Sequence, residues 1–81
     1  MDLTLTEIRA FNATLQTGNY TRAADALGVS QPAITAQIRK LEGRFELPLL
    51  ERINKGVRAT ELGMKLYRIT RQYDDLDSSI D

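Results

Sequence analysis

The stretch that decides the fold of this chain is SQPAITAQIRKL, residues 30–41. Ser30 is a favourable helix N-cap, and Pro32 lies in the first turn, where its missing N–H breaks no helical hydrogen bond. Apolar residues then recur at four-three-four spacing, as on one face of a helix: Ile34, Ile38, Leu41 and Phe45. The stretch therefore predicts an amphipathic helix that packs on a core through one side.

The opposite side of this helix is narrow at its N-terminal end and basic further along. On a helical wheel it carries, in chain order, Pro32, Ala33, Ala36, Arg39 and Lys40, with Thr35 and Gln37 on its flanks. A narrow polar face fits the major groove of B-DNA, which is about 12 Å wide. We therefore interpret this helix as one that reads DNA bases.

The composition predicts one small domain without the usual catalytic side chains. Its 81 residues include no cysteine and no histidine, which removes thiol nucleophiles, imidazole bases and the common zinc ligands. The only clustered acids are Asp74, Asp75 and Asp77, on the last helix predicted below. We expect no enzymatic activity, no metal and no cofactor in this chain.

The N-terminus and the hydropathy pattern predict a cytoplasmic, nucleoid-associated protein without membrane contact. No apolar run approaches the roughly 20 residues that span a bilayer. The first residues, MDLT, lack the basic and apolar regions of a signal peptide.

Charge is segregated along the chain although the net charge is zero. Residues 22–71 hold ten basic and five acidic side chains, whereas the last ten residues hold four acids and no base. A basic middle next to an acidic end keeps nucleic acid among the expected partners, because local charge decides such binding.

Two helices are predicted before the organising helix. Thr4 and Glu7 form a capping box for the first, whose apolar face, Leu5, Ile8, Phe11 and Leu15, continues until Gly18. Thr21 is the expected cap of a second helix, 22–27, which ends at Gly28, and Val29 is expected to point inward. A short helix, a glycine turn and a longer helix indicate a helix-turn-helix.

A hairpin and a long helix are predicted after Pro48. Residues 49–53 and 57–60 flank the tip Asn54-Lys55-Gly56, which favours a small two-stranded wing with a cationic tip. Thr60 then caps a last helix whose apolar residues repeat at 4-3-4-3-4 spacing and predict a dimerisation seam: Leu62, Leu66, Ile69, Tyr73, Leu76 and Ile80.

These elements resemble the N-terminal DNA-binding domain of the LysR-type transcriptional regulators over nearly the whole chain. The matching segments, in order, are GNYT at 18–21, AADAL at 23–27, SQPA at 30–33, IRKLE at 38–42, PLLER at 48–52 and GVRATELG at 56–63. Two positions depart from the family pattern. Ala36 stands where arginine is common, and Glu46 stands where glycine is usual, so the turn at Glu46 is expected to differ.

The resemblance implies a mainly α, winged helix-turn-helix of three helices plus a two-stranded wing, followed by a long dimerisation helix. We assign residues 1–60 to the DNA-binding domain and 61–81 to the linker helix. The resemblance further implies a bacterial regulator that binds double-stranded DNA as a homodimer, or as a tetramer at full length. A small-molecule effector would bind a C-terminal domain that is absent from this chain.

Site residues follow from the resemblance and from the chemistry of each side chain. Base reading is assigned to Gln31, Pro32, Ala33, Thr35 and Gln37, because a glutamine can pair bidentately with adenine and small neighbours permit close approach. Phosphate or minor-groove contact is assigned to Thr21, Arg22, Arg39, Lys40, Arg52 and Lys55. For Arg52, the resemblance leaves open whether the role is phosphate contact or structural. The alternative for the whole chain is a winged-helix or coiled-coil module that binds protein rather than DNA.

Overall fold

Residues 3–80 are described by a computed structural model, with side chains described for residues 3–72. Four helices and one antiparallel hairpin follow one another in this part of the chain, as the sequence predicted. In chain order they are α1 (Leu5–Thr17), α2 (Tyr20–Leu27), α3 (Gln31–Phe45), β1 (Leu50–Ile53), β2 (Gly56–Ala59) and α4 (Glu61–Ile80).

The first three helices surround a core centred on Phe11 of α1, which is fully buried. Ala23 and Ala24 of α2 are buried against it, and their small side chains let α1 and α2 cross closely. The apolar face predicted for α3 is confirmed, because its members are buried or packed against the core: Ile34, Ile38, Leu41 and Phe45.

The residues predicted to cap α1 and α3 do so, whereas the cap predicted for α2 does not. Thr4 caps α1 and Ser30 caps α3, each accepting a backbone N–H three residues on, and Gly18 and Gly28 end α1 and α2 with positive φ. The predicted cap Thr21 is wrong. Asn19 Oδ1 accepts the Arg22 N–H at 3.0 Å instead, so α2 begins at Tyr20. Asparagine is at least as favourable an N-cap as threonine, and Asn19 precedes Thr21 by two residues, so the helix starts two residues earlier than predicted.

Two apolar residues that were expected inside lie at the surface. Leu5 is 51% exposed because it is the first residue of α1, where the described chain places no covering element. Val29 follows the left-handed Gly28, is 46% exposed and lines an open groove beside Ala33. The spacing of apolar residues predicted the helices correctly, but it did not predict which of those residues are covered by the rest of the domain.

Two polar contacts, one partly and one fully buried, tie α1 to other helices. Arg44 of α3 donates two hydrogen bonds to the Glu7 carboxylate, from Nε to Oε1 at 2.8 Å and from Nη2 to Oε2 at 2.9 Å. Thr70 of α4 donates to Asn12 Oδ1 at 2.9 Å. Because buried polar groups need partners, both contacts fix how the helices cross.

The end of α3 keeps the left-handed conformation that glycine usually supplies. Glu46 has φ 59° and ψ 16°, and its N–H donates to the Glu42 carbonyl at 3.0 Å. The turn is therefore built in the ordinary way despite the glutamate, contrary to expectation. A non-glycine residue in this region costs about 1 kcal/mol.

The wing packs closely against the helices through its backbone. Ile53 pairs with Gly56, so the tip contains only Asn54 and Lys55 rather than the predicted three residues. The Val57 N–H donates to the Gly18 carbonyl at 3.0 Å, and a Cβ on Gly56 would overlap that carbonyl. The hairpin, which would be marginal alone, is thus held against the end of α1.

The face of α4 that packs on the domain is rotated away from the predicted seam. Gly63, Leu66 and Thr70 are buried, and Leu62 packs partly against the core. Leu66 is only 6% exposed within its own chain, so little of its side chain is left for the predicted dimer seam. Glycine and threonine complete this buried face and carry no hydrophobic signal in the sequence.

The rest of the predicted seam divides into two groups. Ile69 is 59% exposed and presents apolar surface to solvent. Tyr73, Leu76 and Ile80 lie outside the residues whose side chains are described. No helix in the described part of the chain is both long and apolar enough to cross a membrane.

Candidate nucleic-acid interface

The outward face of α3 is accessible along the N-terminal half of the helix. Gln31, Pro32 and Ala36 are exposed, while Ala33 and the flanking Thr35 and Gln37 are half-buried. Arg39 and Lys40 are exposed one to two turns further on. The helix therefore presents small and uncharged polar groups first and cations later, in the order that base edges followed by phosphates would require.

Gln31 and Thr35 are joined across one turn of α3. Thr35 Oγ1 donates to the Gln31 carbonyl oxygen at 3.2 Å, and Gln31 Nε2 donates to Thr35 Oγ1 at 3.3 Å. These two of the five residues predicted to read bases are thus one hydrogen-bonded unit.

A polar cleft of about 180 Å³ lies between α2, the start of α3 and the wing. It is lined by Asn19, Tyr20, Thr21, Gln31, Arg52, Gly56 and Val57. The cleft joins one predicted base-reading residue to two predicted phosphate-contacting residues, which come from three different elements.

Arg52 occupies this cleft above the ring of Tyr20. Its guanidinium carbon lies 5.7 Å from the ring centroid, within the range of a cation–π contact. Burial raises the pKa of Tyr20, and the nearby Glu42 carboxylate adds to that effect, so the ring stays neutral at physiological pH. The structure thus gives Arg52 a structural contact and leaves its side chain exposed beside α3.

The start of α2 contributes the next part of the surface. Asn19 holds the first-turn N–H of Arg22, and the Thr21 and Arg22 side chains are exposed. An N-terminal helix end carries partial positive charge, which favours a nearby phosphate.

The wing tip carries Lys55, which is exposed. Arg58 pairs with Glu51 across the hairpin, and its Nε donates to the Glu51 carboxylate at 2.6 Å. Both side chains are largely solvated. Such a surface pair contributes about 0–1 kcal/mol. Lys55 remains the cation at the most extended point of the hairpin.

Several residues that shape this surface were not predicted from the sequence. Glu42 accepts the Leu49 and Leu50 N–H groups through Oε2 at 2.7 and 3.2 Å, which anchors the base of the wing to α3. Tyr20 packs partly against the core and also carries Arg52. An Asn before a short helix was the available signal for Asn19, whereas nothing local indicates where Glu42 points.

The family model of bacterial regulatory helix-turn-helix proteins of the lysR family matches residues 5–64. The chain is 41% identical over 71 residues to the RuBisCO operon transcriptional regulator of Allochromatium vinosum, covering 88% of this chain and 24% of that protein. It is 47% identical over 66 residues to the HTH-type transcriptional regulator AbaB of Streptomyces antibioticus, covering 82% and 21%.

The fold is also similar to a crystal structure of the CbnR DBD–DNA complex. The TM-score is 0.81 at 33% identity, and the match covers 98% of this chain and 88% of that one.

The chain folds as a winged helix-turn-helix in which α3, the second helix of that motif, is narrow and accessible. This places it in the class of DNA-binding domains of transcription regulators. The chain belongs to the lysR family of bacterial regulatory helix-turn-helix proteins. It spans about a quarter of the length of the two curated relatives named above. These similarities favour DNA-binding transcription regulation over the alternative of a protein-binding module.

Proposed function

We propose that this domain binds duplex DNA sequence-specifically, with α3 in the major groove, and so directs a transcription regulator to its sites. One observation carries the proposal: the exposed N-terminal half of α3, the start of α2 and the wing meet around one polar cleft. The groove accepts a single helix whose first residues are nearest the bases, which suits the small and polar residues there.

Exposed cations on α2, α3 and the wing are proposed to hold the phosphate backbone. Arg52 lines the cleft and Arg22 lies in the first turn of α2, while Arg39 and Lys40 lie further along α3; all four are exposed. Lys55 would enter the minor groove, whose negative potential is enhanced where A/T-rich sequence narrows it. Bases would then be read by α3 and the position on the duplex set by the cations.

Binding to duplex DNA is expected to weaken steeply with salt, because each phosphate contact releases condensed counterions. Lys55→Ala should weaken binding whichever bases α3 contacts, and it should reduce the slope of log K against log salt by about 0.9. Fluorescence anisotropy with duplexes selected from a random pool would measure both quantities.

Lys65→Ala is the matched control, since Lys65 is also an exposed lysine but lies on α4, beside Leu47 and Pro48 rather than at the cleft. Its slope should equal that of the wild-type chain. Salt-independent binding, or no binding to any duplex in the pool, would contradict the proposed function.

The domain is further proposed to act as a homodimer through the exposed side of α4. One α3 helix makes few base contacts, so two copies on half-sites about one helical turn apart would supply the specificity that one lacks. Support comes from Ile69, a large apolar side chain that is 59% exposed on this helix. With Leu66 buried in its own domain, the seam would begin at Ile69 rather than at Leu62.

Ile69→Glu is expected to convert a dimeric chain to a monomer in sedimentation equilibrium, because a buried carboxylate without a partner is strongly unfavourable. Met64→Glu is the control: Met64 is also exposed, and it lies on nearly the opposite side of α4 on a helical wheel. That variant should remain dimeric. A monomeric wild-type chain at all concentrations tested would overturn the dimer.

A further inference from the structure

The hydrogen bonds between Gln31 and Thr35 restrict what each side chain has left for a ligand. A threonine hydroxyl has one proton, and that of Thr35 is donated to the Gln31 carbonyl oxygen at 3.2 Å. Oγ1 can therefore act only as an acceptor toward the Gln31 side chain. This requires the nitrogen of the Gln31 amide to face Thr35, as it does at 3.3 Å.

The same constraint determines the edge that Gln31 presents outward. The amide has two N–H donors and one carbonyl acceptor, and one donor is occupied by Thr35. One N–H and the carbonyl oxygen remain, side by side on an exposed residue at the first position of α3. Thr35 has no proton left for a base and is itself half-buried.

We infer that Thr35 is a positioning residue that fixes the Gln31 amide for adenine, rather than a residue that reads a base through its own hydroxyl. This inference rests on the proposed function. In the major groove adenine offers an acceptor, N7, beside a donor, the N6 amino group, which matches the remaining N–H and carbonyl of Gln31.

Guanine is disfavoured by the same geometry. It offers two neighbouring acceptors, N7 and O6, and an unrestrained glutamine could turn both of its N–H groups toward them. A Gln31 that keeps one N–H on Thr35 can satisfy only one of these acceptors, and its carbonyl oxygen would face the other. The pair of bonds within α3 therefore adds discrimination at one base pair without an additional contact to DNA.

The test compares Thr35→Val and Thr35→Ser in the 81-residue chain. Duplexes selected from a random pool by the wild-type chain identify the base pair whose preference disappears in Gln31→Ala. At that base pair, Thr35→Val should reduce the preference for adenine over guanine about fivefold, because the restraining hydrogen bond is gone. Thr35→Ser keeps the hydroxyl and should retain the preference. This ratio is insensitive to a general loss of affinity or stability.

The double variant separates positioning from direct reading. If Thr35 acts through Gln31, adding Thr35→Val to Gln31→Ala should change no base preference further. A further change in that background, or a preference that follows the methyl group and is lost in Thr35→Ser, would overturn the inference.

The outcomes also separate this inference from the function on which it rests. Wild-type binding that discriminates among duplexes, with Thr35→Val indistinguishable from it, refutes the positioning role alone. Absence of wild-type duplex binding refutes the proposed function and the positioning role with it.

Discussion

Gly63→Ala is expected to destabilise the domain by about 3 kcal/mol, the upper part of the usual range for overpacking. A Cβ at Gly63 would overlap the Leu49 carbonyl oxygen and lie 3.0 Å from the Leu49 carbonyl carbon and 3.2 Å from Ala59 Cβ. The obstructing atoms are mostly backbone, which cannot rotate away as a long side chain can. The first turn of α4 would have to move off the base of the wing. Urea unfolding followed by far-UV circular dichroism at fixed protein concentration measures the change.

Gly43→Ala is the control with the same chemical change in another helix. Gly43 lies inside α3, and a Cβ there would meet no atom within 4 Å. Alanine lowers the backbone entropy of the unfolded chain, so this variant should gain about 0.5–1 kcal/mol. Effects of the same sign at the two glycines would show that helix propensity, and not the contact with Leu49, decides the outcome.

The second large effect is expected at the ion pair between α1 and α3. Arg44→Met would leave the Glu7 carboxylate, whose side chain is 3% exposed, without the guanidinium that now donates to both of its oxygens. Removing one partner of a buried pair costs about 3–5 kcal/mol. The Arg44 side chain is 31% exposed, so a loss of about 3 kcal/mol is expected.

Arg58→Met provides the comparison at the surface. The Arg58–Glu51 pair is short but solvated on both sides, and its loss should change the free energy of unfolding by less than about 1 kcal/mol. Equal losses in the two arginine variants would contradict the importance assigned to burial.

The pH dependence of the Arg44→Met effect has a defined sign. The hydrogen bond from Arg44 holds the pKa of Glu7 below its ordinary value of 4.5, although burial opposes this shift. A depressed folded-state pKa contributes stability above the unfolded-state value, and that stability is lost as the pH falls through the folded-state value. The difference between wild type and Arg44→Met should therefore be largest at neutral pH and shrink as the pH falls, first as the buried Glu7 of the variant is protonated and then through the lowered Glu7 pKa of the wild type. Unfolding curves from pH 7 to 3 would test this.

Much of the fold could be predicted because its signals act between residues close in the chain. The caps Thr4 and Ser30 satisfy amides three residues away, and the face of α3 follows from its 3.6-residue period. The cap of α2 was predicted wrongly because two good capping residues, Asn19 and Thr21, lie close together in the sequence. The location of the wing was predicted, while its two-residue tip depends on how closely Gly56 approaches Gly18.

The candidate site was predicted as a set of residues but not as an arrangement. Exposure of the outer face of α3 and of Lys55 at the wing tip follows from amphipathic spacing and turn position. The cation–π contact between Arg52 and Tyr20 does not, because those residues come from different elements. The distance between the Arg52 guanidinium and the Tyr20 ring depends on how the hairpin packs against the start of α2.

The sequence by itself determined the helix of residues 30–41, its buried face and its accessible N-terminal half. Only the tertiary structure decided which side of α4 is covered, since Gly63 and Thr70 are buried by close approach and by a bond to Asn12 rather than by hydrophobicity. It also decided the pairing of Arg44 with Glu7, 37 residues apart. Capping and periodicity are local interactions, whereas these contacts depend on the angles at which the helices cross, and those angles are set by the packing of the whole core.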